Sequence, residues 1–128
     1  MLNQDFSPYE RLGGEAAVRR LVDRFYELMD MLPQAKAIRA MHPDDLSGSR
    51  DKLFKFLSGW LGGPQLYTEE FGHPRLRARH LPFAIGDEER DAWMACMTQA
   101  IDEMEMDEMM RAHLLQSLRK TADFMRNQ

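Results

Sequence analysis

A single cysteine, Cys96, is all the thiol this chain contains. One thiol excludes internal disulfides and any zinc centre built on several thiolates, and it suits a reducing compartment. Long apolar runs are missing too: nothing approaches the roughly 18 to 20 residues that span a bilayer. Met1 to Asp5 lack the basic and apolar regions of a secretory leader, so a cytoplasmic chain that uses no membrane is the expectation. Positive charge is scarce, with 17 Lys and Arg against 21 Asp and Glu for a formal charge of -4. The one basic cluster is Arg75, Arg77 and Arg79. A phosphate backbone calls for a concentrated basic face, so nucleic acid is not an expected partner. Period-two alternation, internal repeats and low-complexity tracts are absent as well, which argues against strands.

What is there is an ordinary globular balance, 44% apolar and 30% charged, too hydrophobic for a disordered chain. The 128 residues make one domain, 1–128, able to bury roughly two-thirds of the surface that the unfolded chain exposes. Residues 1–6 read as a loose N-terminal extension. Ser7-Pro8-Tyr9-Glu10 reads as a helix start, with Ser7 capping, Pro8 at the first helical position and Glu10 placed to reach back. Gly13-Gly14 stops that helix. Val18, Leu21, Val22, Phe25, Leu28 and Met29 then recur at three and four, and Tyr26, four beyond Val22, also points inward. Pro33 closes this helix, a short helical turn precedes His42-Pro43, and Asp44 to Ser49 reads as a loop. Leu53, Phe56, Leu57, Trp60 and Leu61 form the next stripe, closed by Gly62-Gly63-Pro64. Residues 65–74 look irregular. The piece from Arg75 to His80, between Pro74 and Pro82, has room for under two turns. Asp87 is the expected cap of a long helix with Trp93, Cys96, Met97, Ala100, Ile101 and Met104 inward. Asp107 caps the last helix, whose stripe is Met110, Leu114, Leu118, Ala122 and Met125. The fold class is all-α.

Four histidines are available for chemistry: His42, His73, His80 and His113. His113 beside the last stripe reads as a surface residue, and His73 before Pro74 as a turn residue. His80 ends a segment too small to be a core helix, four residues after Leu76 and three before Phe83. On spacing alone it is either a boundary residue or a ligand whose second nitrogen donates to a carbonyl one turn earlier, near Leu76. The run Met104 to Met110 suggests soft-metal binding or, better, adaptable packing beside solvated acids. Cys96 reads as buried filler, not a nucleophile. Gly62-Gly63-Pro64 lacks the lysine and hydroxyl of a phosphate loop. No carboxylate is assigned a catalytic role.

Several blocks together resemble one known family. Phe25-Tyr26-Glu27, Tyr67-Thr68-Glu69-Glu70, the run from His73 to Phe83, and Asp91-Ala92-Trp93 followed by Cys96-Met97 are similar to the group II truncated haemoglobins. These are short bacterial and plant globins with helices packed two over two around haem. The resemblance runs from Tyr9 to about Met125. It implies haem b as cofactor and His80 as the proximal iron ligand, on a reduced helix. It implies that Arg79, Tyr67 and, less directly, Lys52 contact the haem propionates, where a fixed cation gains charge-assisted hydrogen bonds. Phe56, Leu57, Leu66 and Leu76 would form the apolar haem wall together with Phe83, Ile85 and Met97.

The distal positions implied are Tyr26, His42, Ser49, Leu53 and Trp93, with Phe25 beside them. Tyr26 and Trp93 are the group's usual donors. His42 stands where phenylalanine or tyrosine is more common, and Leu53 where glutamine often is, so the hydrogen-bond pattern departs from the family's. His42 either restores a donor or turns to solvent. Histidine is the side-chain type that titrates near neutrality, so a His42 donor would make ligand release pH-dependent. Dioxygen held by ferrous iron gains negative charge whereas carbon monoxide stays uncharged, so donors in a dry pocket favour oxygen. The implied activity is reversible binding of O2, NO and CO, by a monomer or homodimer. One alternative is a nitric oxide dioxygenase or peroxidase-like enzyme, which needs an external reductase because this chain carries no flavin or nicotinamide motif. Another is a haem-free helical regulatory module.

Overall fold

The computed structural model describes residues 7–128; the expected N-terminal extension, 1–6, lies outside the described residues. The elements are α1 (Pro8–Leu12), α2 (Gly14–Met31), a 3-10 turn (Pro33–Ala35), α3 (Lys36–Ala40), α4 (Ser47–Trp60), α5 (Leu66–Phe71), α6 (Leu76–His80), α7 (Asp87–Asp102) and α8 (Glu108–Phe124). Among the described residues there is no strand, and no helix is long and apolar enough to cross a membrane.

The first break is set by backbone geometry. Gly13 and Gly14 have φ of 121° and 73°, a region that side chains with a Cβ rarely adopt, so α1 and α2 cannot run on as one helix. Ser7 caps α1 by accepting the Glu10 N–H at 3.3 Å. Tyr9 then ties α1 to the far end of α4, its N–H donating to the Leu61 carbonyl at 3.0 Å. A Cβ on Gly63 would stand 2.5 Å from the Tyr9 ring, so only glycine permits this approach.

Two helix pairs make the core. α2 packs on α4, α7 packs on α8, and α2 joins the pairs by packing on α7. The three-and-four stripe of α2 is the centre: Val18, Val22, Phe25, Leu28 and Met29 are almost wholly buried, with Leu57, Met97 and Ile101 against them. Burying a side chain of this size contributes about 1.5 to 3 kcal/mol. The last helix buries Met110, Leu114, Leu118 and Ala122 of its expected stripe, with Asp107 Oδ1 accepting the Met110 N–H at 2.8 Å, whereas Met125 stands just past the helix end and is half-buried.

Four local expectations are corrected. Residues 65–74 are not irregular throughout: Leu66–Phe71 is a helix, too short to show periodicity, which forms because it packs on α4 and buries Tyr67. α4 starts at Ser47, within the expected loop. Asp45 Oδ1 accepts both the Ser47 N–H (2.9 Å) and its hydroxyl (2.6 Å), and this local turn overrides the poor helix propensity of Ser47-Gly48-Ser49. The cap of α7 is Gly86, not Asp87. Its N–H donates to Glu89 Oε1 at 2.7 Å. The buried face of α7 includes Ala92 and Met94, while Trp93 is half-buried and Met104 lies beyond the helix end.

Candidate functional site

His80 is carried by a segment with unusual backbone. Arg75 is the one non-glycine residue with positive φ among the described residues, at 48°, and its N–H donates to His73 Nδ1 at 3.1 Å. That bond supports the left-handed turn which starts α6. α6 ends on His80, whose Nδ1 lies 2.6 Å from the Leu76 carbonyl oxygen. A carbonyl can only accept, so Nδ1 carries the proton, and in the neutral ring Nε2 is left as a bare lone pair. That is the tautomer an imidazole needs to bind a metal.

Around the Tyr67 ring the structure brings some of the expected residues together. Tyr67 is buried, with its ring 6.4 Å from Phe56. The Arg79 guanidinium stands 5.8 Å from the Tyr67 ring, and its Nε donates to the Pro74 carbonyl at 3.0 Å. Lys52 is exposed on α4, its ammonium 5.8 Å from the Phe71 ring. Phe71, packed 4.8 Å from Tyr67, joins this cluster without a sequence signal, because α5 shows no pattern of its own. Leu57 and Met97 are buried in the core. Phe56, Leu66, Leu76 and Ile85 are only half-buried, and Phe83 is 39% exposed.

The second group of expected site residues is a run of ring edges. Phe25 stands 5.0 Å from Tyr26 and 5.3 Å from Trp93, and Tyr26 stands 5.8 Å from His42. Tyr26 is buried, and its hydroxyl reaches the Ser49 carbonyl at 3.5 Å, a long bond easily exchanged for a better one. Ser49 therefore meets Tyr26 through its backbone. Leu53 is half-buried on α4. His42 is half-buried beside Tyr26, with Nδ1 2.8 Å from the Ile38 carbonyl. By the same reasoning as at His80, the neutral His42 ring presents Nε2 as an acceptor, and it donates there only when it carries a second proton.

Burial pushes the Tyr26 phenol up to about 12, against a smaller opposite pull from the Arg50 charge. It is a donor throughout the physiological range. The unfolded phenol titrates near 10, so between pH 10 and about 12 the native chain keeps a proton that the unfolded chain has lost. Stability from this group is thus present below pH 10 and is lost as pH rises towards 12, by roughly 3 kcal/mol at about 1.4 kcal/mol per unit. Urea unfolding across that window is expected to show a shallower fall for Tyr26→Phe than for the wild type. An equal slope in the two proteins would show that the phenol is not buried in solution.

The remaining chemistry candidates have structural roles. Cys96 is fully buried, and burial pushes its thiol up to about 11, which suits packing and not reactivity. Met104 and Met106 pack on the core, whereas Met109 is exposed. No cluster of three or more His, Cys, Asp or Glu side chains able to hold a metal ion occurs among the described residues. His113 is exposed, as expected. A polar hollow of about 280 Å³ between α2 and α4, lined by Arg19, Asp23, Ser47, Arg50 and Asp51 with Val22 and Phe54, involves none of the expected site residues.

Comparison with known proteins brings these features together. The family model for bacterial-like globins matches residues 7–127. The chain is 46% identical over 128 residues to the group 2 truncated hemoglobin YjbI of Bacillus subtilis, covering 99% of this chain and 94% of that protein. The solved group II 2-on-2 hemoglobin of Agrobacterium tumefaciens superposes with a TM-score of 0.94 at 46% identity, over 100% of this chain and 99% of that one. A truncated oxygen-avid haemoglobin from Bacillus subtilis superposes with a TM-score of 0.86 at 45% identity, over 95% and 100%.

Proposed function

The chain belongs to the bacterial-like globin family, in its group II two-on-two branch, and from that premise we propose that it holds haem b on His80 and reversibly binds dioxygen and other diatomic gases. The observation that carries this reading is the 2.6 Å bond from His80 Nδ1 to the Leu76 carbonyl. It orients the ring and leaves Nε2 unprotonated, the state a haem iron needs in its proximal ligand. The apolar side chains around it fit the group as well. Leu66, Leu76, Phe56 and Ile85 are half-buried and Phe83 is 39% exposed, so helix packing alone leaves apolar surface that a flat hydrophobic cofactor covers. Arg79, over the Tyr67 ring, and Lys52 supply cations for its carboxylates.

When bound, haem supplies a ferrous iron with one coordination position open to a gas. Tyr26 and Trp93 then serve as donors to a ligand that gains negative charge, and the buried setting of Tyr26 strengthens its bond. Neutral His42 serves as an acceptor next to Tyr26, which keeps it from competing as a donor. The oxygen-avid character named for the Bacillus subtilis structure supports dioxygen as the principal ligand.

The test is to reconstitute the purified chain with haem, reduce it, and follow its oxygenated spectrum with and without nitric oxide. A persistent oxygenated form with slow nitric oxide consumption is the expected result. Rapid consumption driven by an added reductase would favour the dioxygenase reading, and failure to take up haem at all would overturn both.

A further inference from the structure

Asn127 lies 47 residues from His80 along the chain, yet its side chain is bonded to the proximal loop three times. Nδ2 donates to the His80 carbonyl at 3.2 Å and to the Phe83 carbonyl at 2.8 Å. Oδ1 accepts the Ile85 N–H at 3.0 Å. A primary amide has two N–H donors and one acceptor oxygen, so both kinds of function are directed at residues 80–85. The backbone extends the clamp: the N–H groups of Asn127 and Gln128 both donate to the Ile85 carbonyl, at 2.8 and 3.1 Å.

The loop needs an anchor of this kind. Between Tyr67 and Ala92 no described side chain is fully buried, and Leu81 is 57% exposed. Core packing therefore does not fix this stretch, and a five-residue helix such as α6 does not hold itself in water. The strap beyond α8 is itself held in place. Arg126 pairs with Asp87 at 2.6 Å and Arg90 with Asp123 at 2.5 Å, joining the start of α7 to the end of α8. A Cβ on Gly86 would meet Gln128 Cβ at 3.4 Å, so the strap runs directly against the α7 cap.

We propose that Asn127 is a positioning residue for the proximal histidine, fixing through the His80 peptide carbonyl where the imidazole Nε2 stands relative to the iron. The inference rests on the reading of His80 as the iron ligand. The Leu76 carbonyl sets the rotation of the ring. The backbone that carries the ring is set by two donors converging on the His80 carbonyl, the Phe83 N–H at 3.0 Å and Asn127 Nδ2. Only Asn127 brings a restraint from outside the loop.

The experiment uses the ferrous haem-loaded protein and two variants. Asn127→Ala removes the side-chain part of the clamp and keeps the backbone bonds to the Ile85 carbonyl, whereas Asn127→Asp keeps an acceptor for the Ile85 N–H and loses both donors. Resonance Raman of the iron–histidine stretch is the first readout, and amide hydrogen exchange of residues 80–86 is the second. Both variants are expected to shift and broaden the stretch. Exchange at Ile85 is expected to accelerate about 10-fold in Asn127→Ala, as for the loss of one hydrogen bond, and to stay slow in Asn127→Asp. An unshifted, sharp stretch in both variants overturns the positioning role while leaving His80 as ligand. A wild-type protein with no iron–histidine stretch overturns the reading of His80 and this inference with it.

Discussion

If His80 holds the iron as proposed, His80→Ala is expected to bind haem at least about 100-fold more weakly than the wild type, because loss of an outer-shell partner alone costs 10- to 100-fold. Two features of the fold make this a clean measurement. His80 is only half-buried, and none of the described core residues comes from α6, so the substitution opens no cavity in the core. The variant should therefore keep the helical content and thermal midpoint of the haem-free wild type. The side chain it loses leaves room beside Leu76, where added imidazole can enter and supply the missing nitrogen. Recovery of the Soret band by millimolar imidazole, followed by its loss on dialysis, is the expected signature. A variant that holds haem as tightly as wild type, with an unchanged spectrum, would remove the proximal role from position 80. An unfolded variant would be recognised by its far-UV spectrum, and His80→Gly with imidazole provides the same test with less side chain to accommodate.

The long helices were legible because their information is local and repeated. Val18 to Met29 and Met110 to Ala122 recur at three and four, and those are the residues the structure buries. Gly13-Gly14 and Pro33 act through backbone geometry that is nearly independent of context. α5 was missed for the converse reason: six residues contain fewer than two turns, and what stabilises them is Tyr67 packed between Phe56 and Phe71, a tertiary fact. The start of α4 was missed because Ser47-Gly48-Ser49 reads as loop until Asp45 is seen holding both polar groups of Ser47.

The site was legible in a different way. Spacing left His80 open between a boundary residue and a ligand, and the resemblance of whole blocks to a family is what implies the ligand. Yet the carbonyl one turn back, suggested by elementary helix geometry, is where the His80 ring bonds. Asn127 had no signal at all. A lone asparagine near the end of a chain has no period, no motif and no neighbour that marks it, and its importance exists only in the three bonds it makes across the fold. His42 shows a subtler gap. Sequence offered a donor or a solvent-facing ring, whereas the bond to Ile38 makes the neutral ring an acceptor facing neither choice.

That acceptor state bears on what removing the two proposed donors does. Tyr26→Phe combined with Trp93→Leu is expected to speed dioxygen release roughly 10- to 100-fold, since each neutral hydrogen bond contributes about 0.5 to 1.5 kcal/mol net. Carbon monoxide release should change far less, because that ligand gains little charge for a donor to stabilise. Phe25 stands edge-on to both rings, 5.0 Å from Tyr26 and 5.3 Å from Trp93, so each single variant loosens the packing of the other's donor and the two effects should not add. With both gone, neutral His42 has no N–H to offer at Nε2. His42→Phe in the double-variant background is therefore expected to leave the oxygen off-rate at alkaline pH within about 2-fold, less than the value of one hydrogen bond. Stopped-flow release rates for both gases from the wild type, the two single variants, the double and the triple variant decide the matter. An oxygen off-rate that the double variant leaves unchanged would mean that these two side chains do not reach the ligand. A large further acceleration from His42→Phe at alkaline pH would mean that its ring donates after all, through a tautomer opposite to the one the Ile38 carbonyl imposes.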